Sequence, residues 1–93
     1  MKDNHEDIIA RYREKYTDLA EKALPGSAEQ RAYHQIVQLI DLHQKVHPQE
    51  RAFRLTIAFM TSAHSASPSA IRAIFKQCTL DFARDTEQET LEW

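Results

Sequence analysis

The sequence predicts an all-α protein, a compact bundle of about four helices. Three observations point there. The chain has one glycine in 93 residues, whereas sheets need turn residues at short intervals. The breaker signals fall in three places: LPGS at 24–27, HPQE at 47–50 and SASPS at 65–69. Between and before them, apolar residues recur at three- and four-residue steps, the period of an amphipathic helix.

The first helix is expected from about Asn4 to Leu24, with Ile8, Tyr12, Tyr16, Leu19 and Ala23 on one stripe. Arg11, Glu14, Lys15, Asp18 and Lys22 cover its other faces with both signs of charge. Pro25-Gly26 ends it. Ser27 is placed to cap the second helix, with Gln30 in the reciprocal position of a capping box. That helix is expected to bury Ala32, Tyr33, Ile36, Leu39, Ile40, His43 and Val46.

His47-Pro48 closes the second helix, and Pro48 suits the first position of the third. The third is expected to turn Phe53, Ile57, Met60 and His64 inward as one row, and Ala52, Phe59 and Ala63 as the next. Leu55 widens this stripe to roughly half the circumference. Arg51, Arg54, Ala58 and Thr61 are left to the outer strip. Ser67 and Pro68 are read as cap and first residue of the fourth helix, whose inner row is Ile71, Ile74, Phe75, Cys78 and Phe82. Leu80 points away from that row. Residues 86–93, an acidic tail, are expected to fray from a single domain spanning 1–93. Short connections favour antiparallel neighbours, so the topology is up-down or has its last two helices orthogonal.

Net charge −2 and a pI near 6.2 give no global attraction to nucleic acid or anionic membrane. No apolar run reaches the roughly 18 residues of a membrane span, and the N-terminus lacks signal-peptide character. A lone Cys78 cannot form an internal disulfide and fits a reducing cytoplasm.

Residues 52–77 resemble a helix-turn-helix in pattern. Ile57, Met60, Ile71 and Ile74 suit its inner positions, which would leave Ser69, Arg72, Lys76 and Gln77 as readers of base edges. Lys45, Arg51, Arg54, Arg72 and Lys76 face Glu50 alone in residues 43–80, a local charge of +4. Ser65 stands where a glycine would ease the turn, and a solvated basic face is the simpler explanation of these charges.

His43 and His47 have the i, i+4 spacing of two metal ligands, and His5 is expected at the same end of the bundle. A bare pair lacks a full ligand set, so no metal is expected, nor any cofactor. The single glycine excludes a glycine-rich phosphate loop, and serines ahead of a helix are better read as caps. No nucleophile and base stand out, so the chain is read as a non-enzyme.

Apolar surface exceeds what a core of this size can take up. The leading expectation is therefore a cytoplasmic protein–protein interaction or regulatory module, binding another protein or a second copy of itself. Leu80, Leu91, Trp93, Arg51 and Arg54 are its candidate contact residues. A helix-turn-helix DNA-binding regulator is the alternative.

Overall fold

The structure is a computed structural model that describes residues 4–88. It contains four α-helices: α1 (His5–Lys22), α2 (Ala28–Leu42), α3 (Pro48–Ser65) and α4 (Ser69–Asp85), with a 3-10 turn at His43–Lys45. Among the described residues there is no strand. The all-α fold read from the sequence is the fold observed. None of the described helices is long and apolar enough to cross a membrane.

Local chemistry sets most helix ends. Asn4 accepts a hydrogen bond from the Asp7 amide and starts α1. Gly26 takes the left-handed backbone (φ 76°) that closes the turn to α2. Ser27 caps α2 through the Gln30 amide. The Gln30 side chain reaches back one residue further than a capping box requires. It accepts from the Gly26 amide and donates to the Ala20 carbonyl, which ties the end of α1 to the start of α2. His47 caps α3 through its ring nitrogen, which accepts from the Gln49 amide, and Pro48 follows at the first helical position.

Two ends depart from expectation. The helical run of α2 tightens at His43 rather than continuing to Val46. At α4, Pro68 occupies the cap position in extended conformation and helix begins at Ser69, with no side-chain cap from Ser67. Proline offers no side-chain acceptor, so the first turn of α4 goes without one.

The helices form two antiparallel pairs, α1 with α2 and α3 with α4, which have the most extensive contacts. Antiparallel register in the first is shown by Tyr16 against Tyr33 and Arg13 against Asp41. In the second, Phe59 meets Phe82, while Gln88 meets Thr56 and Ala52. The pairs join through a core of Ile8, Ile9, Tyr12, Tyr16, Ile36, Ile40, Leu55, Phe59, Phe75, Cys78 and Phe82. Phe82 is its centre, edge-on to Tyr12 of α1 (5.2 Å) and to Phe59 of α3 (5.6 Å).

The largest correction concerns α3. Its buried face is Arg51, Ala52, Leu55, Thr56, Phe59 and Ala63. Of the two rows expected inside, Ala52, Phe59 and Ala63 are buried with Leu55, whereas in the other Phe53 is 60% exposed, His64 is exposed, and Ile57 and Met60 are half-buried. Small side chains explain the rotation. Ala52, Thr56 and Ala63 are small enough to bury fully in a close-packed interior, and the Thr56 hydroxyl is satisfied by the Ala52 carbonyl. Among the described residues no buried side-chain polar atom lacks a hydrogen-bond partner.

The start of the segment expected to fray is fastened. Thr86 is buried and donates to the Phe82 carbonyl; the Gln88 amide donates to Thr56 Oγ1 (2.7 Å) and Thr86 Oγ1 (2.8 Å). Residues 89–93 lie outside the described residues.

Tyr12 also donates to Asp85, joining α1 to the end of α4. That hydrogen bond, with Arg84 beside it, holds the Asp85 carboxyl below the usual carboxylate range. A lowered carboxyl stabilises the fold above its unfolded pKa, and the contribution disappears as pH falls through the lowered value. Tyr12→Phe is therefore expected to flatten the acid-side loss of stability below about pH 4, the ordinary aspartate range. Urea titrations at neutral pH and on the acid side check this; an unchanged acid slope contradicts it.

Candidate functional site

The residues expected to bind partners separate in the structure. Arg51 is only 11% exposed and serves the fold. Its guanidinium donates to the carbonyls of His43 (3.0 Å), Gln44 (3.0 Å) and Val46 (3.1 Å), and lies 3.4 Å from Glu6. It thus adds a donor to three carbonyls where α2 runs into the 3-10 turn, of which His43 also accepts from the Val46 amide, and it brings a cation to the negative end of that helix. Its expected place on the outer strip of α3 is corrected accordingly. Leu80 is half-buried rather than outward-pointing, because the end of α4 is enclosed on both sides of its inner row. Leu91 and Trp93 lie outside the described residues.

Arg54 does face solvent, and it belongs to a surface the sequence reading missed. With Phe53 turned outward, α3 and the preceding turn form an open groove of about 680 Å³. Phe53, Val46, Ile57 and Ala58 make its apolar floor, and Glu50, Arg54, His43 and Gln49 its polar edge. Glu50 and Arg54, one turn apart, are 3.6 Å from each other and both mostly exposed. Large exposed side chains also occur at Leu24 and Leu42. Single exposed leucines are ordinary on a protein surface, whereas an exposed aromatic in an apolar groove with a charged rim resembles an interface core. One signal for this surface was present in the sequence. Arg51 lies one turn from Leu55, so the Arg51–Leu55 side and the Phe53–Ile57 side of α3 compete for the interior.

A second groove, about 510 Å³, lies among α1, α2 and α3 and contains Arg13, Arg51, Glu6 and Asp41. Its charges are paired within the molecule. Arg13 grips Asp41 through two hydrogen bonds (2.7 and 3.1 Å), which hold the Asp41 carboxyl below its usual range.

The candidate base readers share the outer side of α4. Ser69, Arg72, Lys76 and Gln77 are all exposed. Arg72 reaches the Ala66 carbonyl at the end of α3 (3.3 Å), and Gln77 donates to Asp81 (2.8 Å). That places a carboxylate beside the proposed reading face.

His43 and His47 are occupied locally, and His5 is exposed. His43 Nδ1 is 2.7 Å from the Leu39 carbonyl and His47 caps α3. Among the described residues, no three histidine, cysteine or carboxylate side chains are grouped to share a metal ion. Cys78 is fully buried, and burial pushes its thiol up to about 12, which keeps it protonated and unreactive at neutral pH.

No protein-family model, curated protein or solved structure matches the chain.

Proposed function

We propose that this protein is a non-enzymatic interaction module that binds another protein through the outer face of α3. The observation that carries the reading is Phe53, an aromatic side chain 60% exposed within an apolar groove. Burying an aromatic ring of this kind is the usual energetic centre of a protein interface. Glu50 and Arg54 at the rim would set register and exclude wrong partners. The single buried cysteine is in keeping with work in a reducing cytoplasm.

The test compares baits cross-linked in extract of the source cells: wild type, Phe53→Glu and Leu24→Glu. Leu24 is 78% exposed and lies outside the groove, so it controls for added surface charge. A protein captured by wild type and Leu24→Glu but lost with Phe53→Glu is expected. Captures that all three share equally would sink the reading.

A second reading has its own observation. Ser69, Arg72, Lys76 and Gln77 are exposed together on α4, as a DNA-reading helix demands. Asp81 beside Gln77 and the net charge of −2 weigh against it.

A further inference from the structure

We propose that the occupant of the α3 groove is a second copy of this chain, with the two α3 helices antiparallel about a two-fold axis beside Phe53. This rests on the interaction reading above and names its partner.

The order of residues along the groove carries this pairing. A two-fold interface presents the same patch twice, so residues equidistant from the axis on opposite sides must suit each other. Glu50 and Arg54 are equidistant from position 52 and opposite in charge. Phe53 lies one residue away, about 1.5 Å along the helix axis, so each ring would meet its counterpart. Antiparallel pairing thus sets Glu50 against Arg54 and Phe53 against Phe53. Parallel pairing would instead oppose Glu50 to Glu50 and Arg54 to Arg54, which is repulsive. Because Glu50 and Arg54 already lie 3.6 Å apart within one helix, the dimer would close a ring of four alternating charges over the aromatic pair.

One helix face is a small interface, so the association belongs to the weak class and requires concentrated protein. Sedimentation equilibrium from about 5 µM to about 1 mM covers affinities of that class. Wild type and Leu24→Glu are expected to dimerise, and Phe53→Glu to associate at least tenfold more weakly. The decisive arm uses Glu50→Arg and Arg54→Glu as separate proteins. Each alone opposes like charges across the axis and should be largely monomeric. Mixed in equal amounts, they restore both cross-pairs, although each still lacks its own intrahelical pair. At least tenfold tighter association of the mixture than of either variant alone is expected.

Circular dichroism of every variant at wild-type helicity establishes that folding is intact; these positions are exposed, so it should be. A wild type that stays monomeric at all concentrations would overturn the proposal, as would a mixture no better than its components. Phe53-dependent capture of a different protein with a monomeric wild type would overturn this proposal and leave the interaction reading standing. Loss of both would end both.

Discussion

Arg51→Ala is expected to destabilise the protein by about 2–4 kcal/mol, from the loss of several charge-assisted hydrogen bonds at a partly shielded site. The guanidinium bridges three carbonyls of the reversal between α2 and α3, those of His43, Gln44 and Val46. Removing it takes that donor from the Gln44 and Val46 carbonyls and leaves the His43 carbonyl with the Val46 amide alone, and the 3-10 turn loses its cross-brace. Lysine should rescue little, because one ammonium cannot match three carbonyls with a planar fork. Glu6→Gln should cost under about 0.5 kcal/mol, since Glu6 is 63% exposed and 3.4 Å away. Urea unfolding of the three variants checks the order. A loss under about 1 kcal/mol for Arg51→Ala would mean that the reversal is held by something else.

Phe82→Ala carries the other large effect, about 3–5 kcal/mol, the range for truncating a buried aromatic ring. Phe82 is fully buried and edge-on to both Tyr12 and Phe59, so its loss opens a cavity where α1, α3 and α4 meet. Phe53→Ala is the informative companion. A ring 60% exposed on α3 has little to lose, and its truncation should stay within about 0.5 kcal/mol. The helical pattern alone treats these two phenylalanines alike. Similar losses at both would restore Phe53 to the interior and remove the groove.

Helix number, breaks and most of the α4 core were legible because they follow from local rules: one glycine, three clusters of breakers, and a 3.6-residue period. The orientation of α3 was legible in part: Ala52, Leu55, Phe59 and Ala63 were expected inside and are buried, while Phe53 and His64 were expected inside and are exposed. Its apolar residues cover about half of the circumference, and the rotation was decided by which neighbours could approach. Thr56, a polar residue absent from both expected rows, is buried with its hydroxyl bonded to the Ala52 carbonyl. Arg51 was misread for a related reason. A charged residue is placed outside by default, and only the folded chain shows three carbonyls converging on its guanidinium. Arg54, in the same helix, was placed correctly because nothing inside the fold competes for it. The groove therefore became visible only after Phe53 was found outside.

The proposed working surface is the outer face of α3. Backbone amide NMR tests it most directly, with spectra of uniformly labelled protein recorded dilute, concentrated, and with duplex DNA at low and moderate salt. Shifts on concentration that map to Val46, Glu50, Phe53, Arg54 and Ile57, and are absent in Phe53→Glu, are the predicted result. Shifts confined to Ser69, Arg72, Lys76 and Gln77 on adding DNA, lost as salt rises and leaving α3 unmoved, would contradict it.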